Sequence, residues 1–340
     1  MAIESAIVEY IAKMLPFAQQ YQSLQLIIAA ALVGLVILAI VVIFDYSFGW
    51  IERKLIARVH LRRGPTKVGL FGILQNAADV TKLLSKENIV PANANKVIML
   101  SGIFLFAFLL MLAVQMLNMS SVFFSFSFSI AVLAVFAILS LLPILVFIVG
   151  WSTGNKFASI SAQRSVILLV SFELSLLLAV AAVGFASGSF DFQGIVAAQA
   201  NLPFAILMPI GFVVFFIAML AEMERSPFDI READSELVAG WLTDMSAPMY
   251  VVMLFVDYTR MFLGCSLIAL LFLGGWNGPL LPGIVWFMIK VALLAAFIIV
   301  IRASTPRMRL DQALRFGWSV LLPLAIINLF WAYLLVNGII

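Results

Sequence analysis

The stretch IAVLAVFAILSLLPILVFI, residues 130–148, contains no charged residue and only one polar residue, Ser140. A helix needs about 20 apolar residues to cross the hydrocarbon core of a bilayer, so this run predicts a transmembrane helix. Seven further runs predict additional spans at residues 26–44, 97–117, 166–185, 204–221, 249–273, 283–301 and 318–336. The period-two alternation of a membrane barrel is absent from the sequence. We therefore predict an all-α, polytopic membrane helical bundle of about eight transmembrane helices.

The composition of the whole chain agrees with a membrane location. Of its 340 residues, 64% are hydrophobic and 11% are charged, whereas soluble domains carry about 25% charged residues. The net charge of +3 gives no support for nucleic-acid binding. The single cysteine, Cys265, excludes a cysteine-ligated metal site within the chain. We expect no metal, no cofactor bound by this chain alone and no nucleic-acid partner.

The chain shows no internal repeat and no long linker, so we predict one integral membrane domain over residues 1–340. Residues 1–22 lack a basic segment followed by an apolar core, which argues against a cleaved signal peptide. We expect a short interfacial helix there.

The basic residues are distributed very unevenly over the predicted connections. The connections after spans one, three, five and seven hold 17 of the 20 Lys and Arg residues, and the opposite side holds only Lys13. Cytoplasmic connections of membrane proteins carry an excess of Lys and Arg. We therefore expect these four connections to be cytoplasmic and both termini to lie outside.

The first of these connections contains a second kind of helix. Apolar residues recur at helical spacing from Leu70 to Leu84, with Asp79 and Lys82 on another face. This pattern predicts an amphipathic surface helix. It could serve only as an interfacial anchor, or it could frame, with Arg53 and Arg62, an entrance for an amphipathic ligand; periodicity does not decide between the two.

The third of these connections is unexpectedly acidic. Six carboxylates lie between residues 222 and 236, against two bases, Arg225 and Arg231. Like charges at helical spacing repel, and partial burial would raise some of their pKa values toward neutrality. Such a cluster could transfer protons, or it could dock a basic partner, and the residues alone favour neither.

Two predicted spans contain ionisable residues. Glu173 lies within the span at 166–185, and Asp257 and Arg260 lie within the span at 249–273. An ionisable group at membrane depth costs about 2.5–3.5 kcal/mol on insertion scales and usually marks an ion path. The simpler interpretation of Asp257 and Arg260 is that they neutralise each other.

Four segments of the chain together resemble a known family. They are ERKLIARVHLRRGPTKVG (52–69) with ADVTKLLSKE (78–87), NKFASISAQRSV (155–166) with SFE (171–173), AEMERSPFDIREADSELVAG (221–240) and TPRMRLDQALRFGWSVLLPLAIINL (305–329). These segments are similar to the eight-span membrane subunit of respiratory complex I, the H subunit of NADH-quinone oxidoreductase. The likeness runs nearly end to end, and the acidic segment is its most specific part.

The resemblance implies a subunit that links a hydrophilic redox arm to a membrane arm and forms part of a quinone chamber. Matching by motif, the implied proton-transfer and coupling residues are Glu173, Glu222, Asp229, Glu232, Asp234, Glu236 and Asp257. The residues implied to lie along the quinone chamber and its entrance are Arg53, Arg62, Asp79, Lys82, Arg225 and Phe228. Glu224 departs from the pattern, because it stands where the family commonly has Asn.

The resemblance also implies substrates and partners. A quinone, or a phenazine-like lipid-soluble acceptor, would be the substrate, and iron–sulfur clusters and flavin would lie in partner subunits. The implied partners are redox-arm subunits, small membrane subunits and antiporter-like subunits, together with lipid of a prokaryotic plasma membrane. Two alternatives stay open: the homologous subunit of a membrane-bound hydrogenase or deazaflavin-oxidising complex, and a stand-alone ion transporter.

Overall fold

The computed structural model describes residues 22–120, 129–231 and 234–337, with side chains from residue 32 onward in the first range and from residue 236 onward in the third. The interfacial helix expected at residues 1–22 lies outside the described residues except for Gln22, at which the first helix begins. The described part is helical throughout and contains no strand, which confirms the predicted fold class. Its helices are α1 Gln22–Val59, α2 Gln75–Leu84, α3 Lys96–Gln115, α4 Ala131–Ser152, α5 Lys156–Ser187, α6 Phe192–Ala198, α7 Phe204–Leu207, α8 Pro209–Glu222, α9 Asp234–Leu237, α10 Ala247–Phe272, α11 Gly283–Ser304, α12 Leu310–Phe316 and α13 Leu322–Val336.

Seven helical segments of the described chain are long and apolar enough to cross a membrane. They correspond to seven of the eight predicted spans; the last joins α12 and α13 through a π-helical turn at Gly317–Leu321. The remaining predicted span, at residues 204–221, consists of two shorter pieces, α7 and α8. Met208 between them has φ −130° and ψ 66°, because the proline that follows disfavours a helical conformation at the preceding residue.

The predicted surface helix is present as α2, and none of its residues is buried. It is attached to α1 by polar contacts. The side-chain amide of Asn76 donates to the carbonyl of Tyr46 at 3.0 Å, and the hydroxyl of Tyr46 donates to the carbonyl of Ile73 at 2.7 Å. These bonds hold α2 beside the end of α1 from which the first long connection leaves.

The four base-rich connections meet at one end of the bundle, which we call the charged end. The amide of Asn95 donates to the carbonyl of Ser152 at 2.9 Å, which joins the first and second of them. The amide of Met308 donates to the carbonyl of Pro227 at 3.0 Å, which joins the fourth to the third. The described parts of the other connections, at 116–120 with 129–130, 188–203 and 273–282, lie at the opposite end. There the amide of Val132 donates to the carbonyl of Phe190 and the amide of Gly274 donates to the side chain of Gln199.

The transmembrane helices pack so that α10 lies centrally. It contacts α1, α3, α8 and α11, while α5 contacts α4, α8 and α13. Every residue of α10 from Thr259 to Phe272 is buried. Polar side chains at the start of that stretch are therefore held inside protein rather than in lipid.

Candidate functional site: a buried cluster of acids and arginines at the charged end

Glu224 is the centre of the most buried group of charges. Its side chain is 2% exposed, and its carboxylate accepts hydrogen bonds from Arg231, from Arg260 at 2.6 Å and from the hydroxyl of Ser165. Burial by itself raises the pKa of Glu224, but the two guanidinium groups and Ser165 outweigh it and hold the pKa below its usual range. Glu224 is therefore an ionised anchor for two buried arginines.

Each of these buried arginines also lies over an aromatic ring. The guanidinium carbon of Arg231 is 5.0 Å from the ring centroid of Trp241, and that of Arg260 is 5.2 Å from the ring of Phe106. A cation over an aromatic face is stabilised by about 2 kcal/mol when water is excluded. The rings thus offset part of the cost of removing the arginines from water.

Glu52 forms a second ionic group. It accepts a hydrogen bond from Arg225 at 3.1 Å, pairs with Arg302 and hydrogen-bonds Tyr258. Arg225 lies 5.3 Å from the centroid of the Tyr258 ring. This group brings together α1, the acidic connection, α10 and α11.

Asp257 does not pair with Arg260, so the simple neutralisation considered for these two residues is not what the structure adopts. Asp257 instead lies 3.4 Å from Arg231, and Arg260 is engaged by Glu224. The two charged side chains of α10 therefore form ion pairs with residues of the acidic connection rather than with each other.

Two cavities open at this end, one on each side of Tyr258 and Arg302. The larger, about 460 Å³, is lined by Glu52, Arg53, Ile56, Ala57, Arg62, Arg63, Gly64, Pro65, Gln75, Tyr258 and Arg302. The smaller, about 190 Å³, is lined by Met223, Glu224, Arg225, Ser226, Asp229, Arg231, Leu242, Tyr250, Leu254, Asp257, Tyr258 and Arg302. The larger lies within the range of about 300–1,000 Å³ that small-molecule pockets occupy.

The residues expected along the quinone chamber are found in different surroundings. Arg53 and Arg62 line the larger cavity, and Arg225 lines the smaller. Asp79 accepts a hydrogen bond from Arg53 at 2.5 Å and therefore holds α2 beside that cavity. Lys82 is exposed on α2, and Phe228 is buried with its ring edge-on to Phe172.

The expected proton-transfer residues also separate into groups. Glu222 is buried at the end of α8, and its Oε1 has no hydrogen-bond partner among the described residues. Asp229 pairs with Arg307 at 3.1 Å, and half-buried Glu173 lies near enough for its charge to act on Glu222. Glu232 lies outside the described residues, as does the side chain of Asp234.

Glu236 is not one of the acids whose pKa is raised. Its side chain is exposed and forms an ion pair with Arg164. A hydrogen bond and the positive charge from Arg164 hold the pKa of Glu236 below its usual range. The pKa of Glu236 is lowered rather than raised because the acid pairs with a base from another connection. The local sequence does not reveal this pairing.

Sequence reasoning missed three participants: Glu52, Arg302 and Asp45. In the sequence, Glu52 stands out only as part of a motif, and Arg302 only as one of the basic residues of a connection. Asp45 follows the predicted end of the first span by one residue, but α1 continues to Val59, so this carboxyl lies inside a long helix. The signal that could have found it is the seven-residue spacing between Asp45 and Glu52, which places two acids on one face.

No group of three or more histidine, cysteine, aspartate or glutamate side chains suited to a metal ion occurs in the part of the chain that the structure describes.

The fold and the site define a multi-pass helical membrane protein with a buried cluster of acids and arginines at one end. The NADH dehydrogenase family profile matches residues 30–333. The H subunit of NADH-quinone oxidoreductase from Dehalococcoides mccartyi strain CBDB1 is 40% identical over 304 residues, which cover 88% of this chain and 84% of that protein. The protein of the same name from Syntrophotalea carbinolica is 38% identical over 90% of this chain and 95% of its own length.

A relative with a different name is nearly as similar. The H subunit of F(420)H(2) dehydrogenase from Methanosarcina acetivorans is 36% identical over 88% of this chain and 91% of its own length. The chain belongs to the family of the NADH-quinone oxidoreductase H subunit. It is a multi-pass membrane subunit of a multi-subunit enzyme complex, as its motifs predicted.

Proposed function

We propose that the chain forms part of a quinone-binding chamber at the charged end and couples quinone reduction to proton transfer through buried carboxylates. The charged end faces the cytoplasm of a prokaryotic cell, and both termini lie on the other side. Redox-arm subunits carrying flavin and iron–sulfur clusters dock on the charged end, and small membrane and antiporter-like subunits lie alongside in the bilayer. The strong bias of Lys and Arg toward this end supports that orientation.

The observation that carries this proposal is the position of Tyr258 and Arg302 between the two cavities. Both residues line both cavities, and both contact Glu52. A quinone headgroup in the larger cavity would therefore lie beside a phenol and a guanidinium that already hold a carboxylate. Exposed α2 and the apolar outer face of α1 provide the side of the cavity that a lipid-soluble molecule would enter.

Quinone reduction would disturb this arrangement electrostatically. A quinone that takes up two electrons from a partner's iron–sulfur cluster also takes up two protons, and until it does so its oxygens carry negative charge. That charge competes with Glu52 for Arg302, and a Glu52 that loses an arginine becomes a better proton acceptor. The change would pass to Glu222 and Glu173, which lie near enough for the charge of one to act on the other.

The remaining expected residues take part in the same proposal. Asp229, Glu232, Asp234, Glu236 and Asp257 would carry protonation changes between the acidic connection and the membrane. The pairing of Arg231 with both Glu224 and Asp257 supports such coupling, because one guanidinium acts on two carboxylates.

The decisive experiment compares two arginine variants of the assembled complex. Arg302→Ala removes a residue that lines both cavities, whereas Arg315→Ala removes an exposed base of α12 and serves as the charge-matched control. We expect Arg302→Ala to raise the quinone KM about tenfold, the loss of one charge-assisted contact of roughly 1.4 kcal/mol or more. Arg315→Ala should leave the quinone KM within about twofold of wild type.

Equal quinone kinetics in the two variants would contradict a chamber at Arg302. Labelling of the wild-type complex with a photoreactive quinone provides a second measurement. Cross-links should fall in the lining of the larger cavity, at Gly64, Pro65 and Tyr258. Cross-links confined to the opposite end of the bundle would also overturn the proposal.

The relative from Methanosarcina acetivorans favours one second candidate, in which the complex oxidises a reduced deazaflavin and delivers electrons to a phenazine-like acceptor. The chamber in this chain would be the same, and only the electron-input subunit and the acceptor would differ. Identifying the flavin-binding subunit that co-purifies with the chain distinguishes this candidate from NADH oxidation.

A further inference from the structure

Asp45 is a buried acid that the proposed function does not use. It lies within α1, and 5% of its surface is exposed. Its Oδ1 has no hydrogen-bond partner in the described residues, and no base lies within ion-pair distance of it there. An ionised carboxylate in such a place would lack the partners that buried charges require.

The contacts of Thr259 indicate which form Asp45 takes. The Oγ1 of Thr259 lies 2.8 Å from Asp45 Oδ2 and 2.9 Å from the carbonyl oxygen of Phe255. A threonine hydroxyl has one hydrogen to donate, and the carbonyl can only accept. Both short contacts are satisfied together when the Thr259 hydroxyl donates a hydrogen bond to the Phe255 carbonyl and accepts a hydrogen bond from the O–H group of a protonated Asp45. The geometry is that of a neutral, protonated Asp45.

Asp45 is linked to the Glu52 group through consecutive residues of α10. Tyr258 hydrogen-bonds Glu52, and Thr259 contacts Asp45. Along α1 the two acids are seven residues apart, nearly two helical turns, so they lie on the same face about 10 Å from one another. Each of the two acids thus contacts one of two adjacent α10 side chains.

Arg225 is the charge that the two acids share. It is 3.1 Å from Glu52, its guanidinium lies over Tyr258, and its positive charge acts on Asp45. Other charged groups near this site are Arg302, which pairs with Glu52 from α11, and Arg260, the neighbour of Thr259, which is engaged by Glu224. Three further bases line the same cavity as Glu52: Arg53, Arg62 and Arg63. Arg225 therefore pairs with Glu52 and lies near enough for its positive charge to act on Asp45.

We propose that Asp45 and Glu52 exchange one proton around Arg225. In the resting state Asp45 is protonated, and Glu52 is ionised and paired with Arg225. When Glu52 loses Arg302 to the reduced quinone, the proton leaves Asp45 Oδ2 and binds Glu52, and Arg225 then compensates the Asp45 carboxylate. The step conserves charge and needs no further reactant. It rests on the proposed function for its trigger, but the protonated resting state of Asp45 does not.

The test uses Asp45→Asn in the assembled complex. The asparagine amide keeps the size of the side chain and can still donate to Thr259, but it has no proton to give up. A purely structural Asp45 would tolerate this change. We expect normal assembly, an unchanged quinone KM and a turnover reduced about tenfold, because a positioned proton donor has been removed. Ser266→Ala, a buried polar change in α10 outside the site, is the control and should keep wild-type turnover.

Infrared difference spectroscopy measures the proton itself. The wild-type complex should show a carboxylic-acid carbonyl band that shifts in heavy water and is lost in Asp45→Asn, while Ser266→Ala retains it. The proposal is overturned if the variant keeps this band or keeps wild-type turnover. If the wild-type complex reduced no quinone, the proposed function would fail, whereas the presence or absence of the band would still decide whether Asp45 holds a proton.

Discussion

The two ends of the bundle stabilise their connections in different ways. At the opposite end the ammonium of Lys290 donates to the carbonyls of Leu273, Gly275 and Asn277 at 2.8, 2.9 and 2.8 Å. The side chain of Gln199 donates to the carbonyl of Leu270 and accepts from the amide of Gly274. At the charged end, in contrast, carboxylates bind guanidinium groups.

This difference indicates that the buried polar groups of the opposite end stabilise the fold, whereas those of the charged end can also take part in chemistry. Lys290 supplies hydrogen bonds to three backbone carbonyls of one connection, so its role is to stabilise the fold of that connection. At the charged end, the buried polar groups are instead carboxylates and guanidinium groups that pair with one another, as Glu224 does with Arg231 and Arg260. Buried polar atoms without a hydrogen-bond partner among the described residues occur at both ends, for example Glu222 Oε1 at the charged end and Asn118 Oδ1 at the opposite end. Cavity size alone does not distinguish the ends, because a cavity of about 760 Å³, lined partly by Gln199 and Asn277, opens at the opposite end.

The largest effect is expected from Glu224→Gln, which removes the charge that compensates Arg231 and Arg260. Breaking a buried ion pair by neutralising one partner costs about 3–5 kcal/mol. We expect a severe loss of assembled complex, measured by yield and by thermal unfolding in detergent. Ser165→Ala removes only a neutral donor to the same carboxylate and should cost about 1 kcal/mol. Equal stability of the two variants would show that Glu224 does not organise the cluster.

A smaller effect on stability alone is expected from Lys290→Met at the opposite end. The variant keeps the length of the side chain but leaves three carbonyls without their donor, which should destabilise the protein by about 2–3 kcal/mol. Quinone reduction by the complex that does assemble should stay within about twofold of wild type. A tenfold loss of turnover would contradict a purely structural role for Lys290 and would show that the opposite end takes part in the reaction.

The smallest effect is expected from Asp79→Asn, which removes the ion pair between α1 and α2. The side chains of Arg53 and Asp79 are 45% and 36% exposed, so the pair should contribute less than about 1 kcal/mol. Slight burial raises the pKa of Asp79, but Arg53 and Gln75 hold it below its ordinary value of 3.8. The stabilisation from this ion pair is therefore fully present above pH 3.8, the pKa of Asp79 in the unfolded chain. It is lost as the pH falls through the lower pKa that Asp79 has in the folded protein.

Hydrogen exchange of the α2 amides measures this effect. At neutral pH the variant should exchange faster than wild type, and the difference should vanish in acid. A difference that persisted in acid would show that another contact of Asp79, and not its charge, holds α2.

How much of the molecule could be predicted depended on the range of the interactions. Seven of the eight predicted spans correspond to long helical segments, because apolar length is a local property of the sequence. The break at Met208 was missed, although Pro209 signalled it, because the apolar run continues through it. The pairing of Asp257 with Arg231 could not be predicted, since the partner is 26 residues away and the nearer Arg260 fits the local spacing equally well.

The same limit applied to the acidic segment. Glu224, set apart by sequence because it departs from the family pattern, lies at the centre of the buried cluster, whereas Glu236 is exposed and paired with Arg164. Spacing shows which acids are near one another along the chain. It does not show which of them meets an arginine from another helix.

The sequence by itself determined that this protein is a helical membrane protein, which connections share an end and which family it belongs to. These properties follow from apolar length, from charge counts and from motifs that can be matched position by position. Only the tertiary structure decided which charges are buried, which are paired and which lie beside a cavity. The physical reason is that the energy of a charge in a membrane protein depends on its partners and its access to water, and both are supplied by helices distant in the sequence.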